Sequence, residues 1–217
     1  MEKLQGILFD NDGTLVDTHA LIMESFEFAT ERLLGRRVSE EEVAATGGRP
    51  LNEQMLVFAQ GDHELAAELA STYREFNHAI HDERIRAFDG VQEGLAKLHE
   101  RGFIMGVVTS KMRWLAQHGL ELCGISQYID CCIGADSCEQ HKPHPAPLIM
   151  GAHELGLDPK NCAYVGDSPF DIQAANAAQC VSVAALWGMF DEEEVRRQQP
   201  AYAFSTFSEL VEAITEA

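Results

Sequence analysis

The stretch Ile7-Leu8-Phe9-Asp10-Asn11-Asp12-Gly13-Thr14-Leu15 decides the fold of this chain. Its apolar lead, reached through Leu4-Gln5-Gly6, is too short for a helix and is stopped by Gly13. That pattern reads as a buried strand ending in a turn. Strand alternation places Asp10 and Asp12 on one side, at the strand's carboxyl end. Two carboxylates so close repel unless a cation lies between them or one keeps its proton. Either arrangement serves chemistry. Gly13 permits a sharp turn, and Thr14 adds a hydroxyl there. Asp, Asn and Gly are also ordinary turn residues, so the stretch alone fits a plain polar turn as well.

Outward from Leu15 the pattern becomes helical for nearly seventy residues. Leu21, Ile22, Phe26, Phe28, Ala29, Leu33 and Leu34 recur at helix spacing, with Gly35 as the stop. Ser39-Glu40-Glu41-Glu42 carries a capping-box signature, and Thr46-Gly47-Gly48-Arg49-Pro50 reads as a loop. Leu51–Ala59 is a short helix, and Asp62 caps a longer one through Ile80. Beyond this block, strands alternate with helices of about ten residues. Strands are expected over 103–109, 129–134, 162–165, 180–186 and 202–204. Helices are expected over 90–99, 111–122, 147–155 and 169–178, with a last helix capped by Thr206. Such alternation implies a parallel sheet covered on both faces, with ligands at the carboxyl ends of its strands. The expected organisation is an α/β core of residues 1–15 and 86–217, Rossmann-like, with an inserted α-helical cap domain over 16–85.

Composition bounds the rest. The 217 residues, 46% of them hydrophobic, contain no run approaching the roughly 18 apolar residues of a membrane span. The first strand follows Met1 so closely that no signal peptide is expected. A net charge of −19 argues against nucleic acid and anionic membranes as partners. The six cysteines match no paired zinc pattern, and Cys131, Cys132, Cys162 and Cys180 fall in apolar strand-like runs. They read as small core residues in a reduced, cytoplasmic setting.

Three further polar clusters sit at expected strand ends. Thr109-Ser110-Lys111 precedes a helix, and fits equally an anion site or a helix cap at Ser110. Lys142 lies in the stiff loop His141-Lys142-Pro143-His144-Pro145. There it is either a surface lysine or a fixed point charge for phosphate. In Gly166-Asp167-Ser168-Pro169-Phe170-Asp171, Pro169 opens a helix and Asp171 returns to the side of Asp167. Acidic residues at a helix start also suit its dipole. Taken together, Asp10, Asp12, Asp167 and Asp171 bring four negative charges to one sheet edge, more than Lys142 balances. A hard divalent cation with oxygen ligands answers that charge, and Mg²⁺ is the natural one.

In this order the four clusters resemble the haloacid dehalogenase-like hydrolases, specifically those with a helical cap after the first motif. The resemblance spans the whole chain. It implies a phosphatase in which Asp10 is the nucleophile and Asp12 the general acid/base. Thr109 and Lys142 would hold the phosphoryl group, aided by backbone amides near Asn11, Asp12 and Ser110. Mg²⁺ would be bound by Asp10, the main-chain carbonyl of Asp12 and Asp167, with Asp171 direct or one step removed. The cap is expected to act as a lid, hinged near Val16–Ala20 and Ile80–Phe88.

Within that family the chain looks most like phosphoglycolate phosphatases and bacterial pyrophosphatases. Val107-Val108-Thr109-Ser110-Lys111, Gly47-Gly48-Arg49-Pro50-Leu51 and Leu186-Trp187-Gly188 carry that likeness. Serine at Ser110 is familiar from the pyrophosphatase branch, whereas asparagine is commoner in phosphoglycolate enzymes. Asn11 departs from the usual apolar or aromatic residue. Asp12 disfavours halide chemistry, and Thr14 disfavours a sugar-phosphate mutase. The expected substrate is a small phosphate ester such as phosphoglycolate, with pyrophosphate or a sugar phosphate as alternatives. A non-catalytic phosphate-accepting or ligand-binding module is the alternative of another class. Arg49 is the candidate for reading the leaving group, since its guanidinium pairs bidentately with a carboxylate or a second phosphate. It fits equally an arginine paired to one of the many acids. Assembly as a monomer or homodimer is expected.

Overall fold

The structure, a computed structural model, describes residues 4–47 and 49–216. Gly48, one of the pair preceding Arg49, lies outside them. Strand β1 (Gly6–Phe9) is buried along its whole length. It stops at Phe9, one residue before the first aspartate, because the chain then folds on itself. The amides of Leu15 and Val16 both donate to the Asn11 carbonyl, at 3.0 and 2.9 Å. Strand β2 (Val16–Asp17) follows.

The chain divides into two compact units. One runs to Asp17 and resumes at Arg86, and the other spans Thr18–Ile85. The second unit is all helical, with α1 (His19–Leu34), α2 (Glu40–Ala44), α3 (Leu51–Phe58) and α4 (His63–Arg84). Three of the boundaries have a clear local cause. Gly35 ends α1 at a φ of 69°, Ser39 and Glu42 form the reciprocal capping box of α2, and Asp62 accepts from two amides of α4. Phe26 packs edge-on against Phe58 and Tyr73, and Met55 and Leu69 are fully enclosed beside them. These helices thus enclose a core of their own.

The first unit resumes with β3 (Arg86–Ala87), antiparallel to β2, then alternates. In order come α5 (Val91–Glu100), β4 (Ile104–Val108), α6 (Arg113–Leu122), β5 (Cys131–Ile133), α7 (Ala146–Glu154) and β6 (Cys162–Gly166). They are followed by α8 (Pro169–Ala178), β7 (Val181–Ala185), α9 (Glu192–Arg196), β8 (Tyr202–Phe204) and α10 (Phe207–Thr215). Six strands form one sheet in the order β5-β4-β1-β6-β7-β8, every neighbouring pair parallel. This is the α/β core that the alternation implied. Phe9 aligns with Val107 of β4 and Val165 of β6, so the residues after these three strands emerge at one edge. One face buries Leu8, Val108 and Tyr164 under Leu148 and Ala175. On another side of the strand Phe9 meets Phe207 of α10, ring centres 5.9 Å apart.

One local reading is corrected, and two elements lie outside what the sequence pattern foresees. Helix α6 starts at Arg113 with Met112 at its N-cap and no capping side chain, so Ser110 is not the cap. The ribbon β2–β3 is not foreseen by the sequence pattern, because two residues per strand leave no periodicity. Helix α9 is not foreseen either, although Asp191 caps it through the amides of Glu193 and Glu194. The cysteines behave as core residues. Cys131, Cys132, Cys162 and Cys180 are buried free thiols, and burial pushes Cys162 up to about 11 and Cys180 up to about 12. Among the described residues no helix is long and apolar enough to cross a membrane.

Candidate active site

The carboxyl edge of β1, β4 and β6 gathers the polar residues that the sequence singled out. Asp10 follows β1, Thr109 follows β4, and Asp167 follows β6. Asp171 is placed by the start of α8. There Ser168 and Asp171 form a capping box: the Asp171 amide donates to Ser168 Oγ, and the Ser168 amide and hydroxyl donate to Asp171 Oδ2.

Lys142 is the hub of this edge. Although it belongs to a loop, its side chain is almost fully enclosed. Its Nζ lies 2.6 Å from Asp171 Oδ1, 3.1 Å from Asp10 Oδ2 and 3.0 Å from the Tyr164 hydroxyl. The Tyr164 hydroxyl lies 2.9 Å from the Val108 carbonyl, to which it donates. Lys142 is therefore no surface lysine. Burial disfavours its charge, but the carboxylates of Asp10 and Asp171 outweigh that and hold the ammonium above its ordinary range.

The same enclosure raises the carboxylates. Burial pushes Asp10 up to about 7; Lys142 opposes this, and the charges of Asp171 and Asp12 add to it. Burial, with Asp171 and Asp10 nearby, likewise raises Asp167 well above its usual range. One oxygen from each of Asp10, Asp167 and Asp171 lies within 4.8 Å of the others. Asp167 is held by the Met189 amide, which donates to Oδ2 at 2.8 Å. Gly13, at a φ of 78°, and Gly188 line its carboxylate so closely that a Cβ on either would collide with it. Enclosed carboxylate oxygens with more negative charge than Lys142 neutralises form a donor set suited to a hard divalent cation. The residues fit Mg²⁺. Asp171 bonds to Lys142 through Oδ1 and to Ser168 through Oδ2, and Asp10 likewise meets Lys142 through Oδ2 and the Asn11 backbone amide through Oδ1.

Asp12 stands apart from this trio. Because β1 ends at Phe9, strand alternation does not extend to Asp12. Its Oδ1 instead meets Lys111 Nζ at 2.8 Å. The two neighbouring aspartates are thus divided, Asp12 facing Lys111 and Asp10 facing Lys142. Lys111 also ties in Thr109, whose Oγ1 accepts from the Lys111 amide at 3.2 Å. Ser110 lies between them, half-buried. Asn11 is buried, its amide donates to Asp10 Oδ1 at 2.7 Å, and its side-chain oxygen has no partner. In the helical unit, Arg49 lies in the loop before α3, and its carbonyl accepts from Gln54 at 2.8 Å.

Four contributors escape a reading of the sequence: the pairing of Lys111, the hydroxyl of Tyr164, the amide of Met189 and the indole of Trp187. Tyr164 leaves one signal. A tyrosine inside a fully buried strand needs a partner for its hydroxyl. Trp187 donates to the Thr14 carbonyl at 3.0 Å, fastening the loop after β7 to the turn after β1.

A parallel sheet of this order, with aspartates and a buried lysine at its carboxyl edge, defines the class. The sequence profile of the haloacid dehalogenase-like hydrolases matches residues 7–185, and the chain belongs to that family. A relative from Caldanaerobacter subterraneus, provisionally named a pyrophosphatase PpaX, is 36% identical over 98% of this chain and 95% of its own. Pyrophosphatase PpaX of Anoxybacillus flavithermus is 34% identical over 96% of each chain. Among solved structures, a predicted phosphoglycolate phosphatase from Haemophilus somnus superposes with a TM-score of 0.89 at 26% identity, covering 99% of both chains. The chain is accordingly a phosphatase of that family.

Proposed function

We propose that this phosphatase is a Mg²⁺-dependent hydrolase working through an aspartyl-phosphate on Asp10, with inorganic pyrophosphate as first candidate substrate and phosphoglycolate as second. The observation that carries the reading is the enclosed group of Asp10, Asp167 and Asp171 around Lys142. The pyrophosphatases at 34–36% identity and near-complete coverage favour pyrophosphate over the phosphate ester that the sequence first suggested.

Mg²⁺ would be held by Asp10, Asp167 and the main-chain carbonyl of Asp12, and when bound supplies positive charge against the phosphoryl oxygens. Asp171, held by Ser168 and 2.6 Å from the Lys142 ammonium, serves to orient Lys142. One Asp10 carboxylate oxygen attacks phosphorus, forming the O–P bond as the bond to the leaving oxygen breaks. Asp12 gives its proton to that oxygen. In the second step Asp12 takes a proton from water as the water oxygen attacks phosphorus, and Asp10 departs as a carboxylate. Lys142, Thr109 and the amides near Asn11, Asp12 and Ser110 hold the phosphoryl oxygens.

The test is a side-by-side assay of pyrophosphate, phosphoglycolate, a panel of sugar phosphates and p-nitrophenyl phosphate, with Mg²⁺ and with excess EDTA. Phosphate release that needs Mg²⁺ and is greatest from pyrophosphate is expected. Equal release in EDTA would remove the cation from the reading. Arg49 is proposed to recognise an anionic leaving group. Arg49→Ala should then weaken kcat/KM for pyrophosphate by about 1.5–3 kcal/mol, the scale of a hydrogen bond to a charged group. Turnover of p-nitrophenyl phosphate should fall much less, and equal losses would remove Arg49 from that role.

A further inference from the structure

We propose that Lys111 is a positioning residue for the proton-transferring carboxylate of Asp12, an inference that rests on the phosphatase reading above. The ammonium of Lys111 lies 2.8 Å from Asp12 Oδ1, and the two side chains are only 13% and 17% exposed. At that distance, shielded from water, the pair holds one carboxylate geometry far better than an exposed ion pair does.

Both ends of the pair are anchored by backbone. The Lys111 amide donates to Thr109 Oγ1, and the Lys111 carbonyl accepts from the Ala135 amide at 2.8 Å. That fixes the base of Lys111 between the ends of β4 and β5. On the other side Asp12 bridges to Val16, the Gly13 amide donates to the Val16 carbonyl at 3.0 Å, and the Val16 amide returns to Asn11. These bonds fix the backbone from which each of the two side chains extends. Lys142, by contrast, serves Asp10 and Asp171. The two lysines thus separate two carboxylates with different chemical roles, Asp10 and Asp12. One carboxylate attacks phosphorus, and the other moves a proton to the leaving oxygen.

A group that places a general acid matters most where the leaving oxygen is basic, and little where it leaves as a stable anion. Two uncharged leaving groups of similar shape separate these cases: phenyl phosphate, whose phenolate leaves poorly, and p-nitrophenyl phosphate, whose phenolate leaves well. kcat/KM is the parameter to read, since it reports the step up to the first phosphoryl transfer. Lys111→Met should lower it about 10–100-fold for phenyl phosphate, a part of the usual general-acid contribution, and less than about 3-fold for p-nitrophenyl phosphate. Lys111→Arg should recover much of the loss on phenyl phosphate. In an Asp12→Asn background, Lys111→Met should add almost nothing, because the group it positions is already disabled.

Equal losses on both esters, or a full further loss in the Asp12→Asn background, would overturn the proposal in favour of a general structural role. A loss confined to pyrophosphate would overturn it too, by showing that Lys111 contacts an anionic leaving group instead. Should Lys111→Met fold poorly, Lys111→Gln carries the same comparison. Wild-type protein that cleaves neither ester with Mg²⁺ would instead overturn the phosphatase reading itself.

Discussion

Lys142 is the residue on which the charge balance of this edge turns. It is enclosed and faces two carboxylates, so removing its charge leaves them buried together without an ammonium. Lys142→Met should therefore destabilise the cation-free protein by about 3–5 kcal/mol, the scale of breaking a buried ion pair from one side. Urea unfolding in EDTA checks this, and an unchanged midpoint would contradict it. Asp10→Asn should act oppositely on stability. It removes one of three crowded carboxylates while Lys142 keeps Asp171, so the variant should lose turnover yet melt no lower than wild type in EDTA. Such a trade is expected where a site stores like charges for function. Asp10, Lys142, Asp167 and Asp171 are legible in the sequence because each follows an apolar run, opens a helix or sits in a proline-stiffened loop. The partner of Asp12 is not. Lys111 stands 99 residues away, and only the adjacency of β1 and β4 brings it near.

At the scale of elements, the strand–helix alternation is readable from apolar runs and glycine stops, and the helix of residues 169–178 is placed to the residue. The failures have physical causes. Ser110 looks like a helix cap because a hydroxyl before an amphipathic pattern is the usual signal. The chain instead continues through Lys111 and Met112 before α6 begins at Arg113, Met112 serving as N-cap. The loop after β7 is singled out in the sequence only through Leu186-Trp187-Gly188 as a family likeness, yet it supplies the amide on Asp167 and the glycine that leaves room for it. Gly188→Ala would press a methyl group into that carboxylate. Mg²⁺ affinity measured by calorimetry should fall about 10–100-fold, as is usual when the support of a ligand is disturbed. Unaltered affinity would show that the loop does not hold the carboxylate in place.

For the whole molecule, a net charge of −19 and a buried acidic group mean that the cation-free protein relieves carboxylate repulsion by keeping protons, and that a bound cation would relieve it instead. A cation that binds only the folded form adds stability by mass action, about 2.7 kcal/mol at a hundred times its dissociation constant. Mg²⁺ should thus raise the melting temperature more than a monovalent salt of equal ionic strength. Asp167→Asn should abolish most of that rise. A rise common to both salts would mean screening alone. The family is legible in the sequence because four short clusters recur in order along one sheet edge. The leaving group is not, because holding a phosphoryl unit calls for the same charges whatever it is attached to.

The claim that Asp10 carries the phosphoryl group is tested most directly by stopping the reaction between its two steps. Asp12→Asn removes the group that would activate water, while p-nitrophenolate leaves without needing a proton. Mixed with p-nitrophenyl phosphate and Mg²⁺, this variant should release a burst of nitrophenol equal to the enzyme concentration. Acid quenching should then leave one phosphoryl group on the peptide containing Asp10. A linear release with no burst and an unmodified Asp10 peptide would contradict the account.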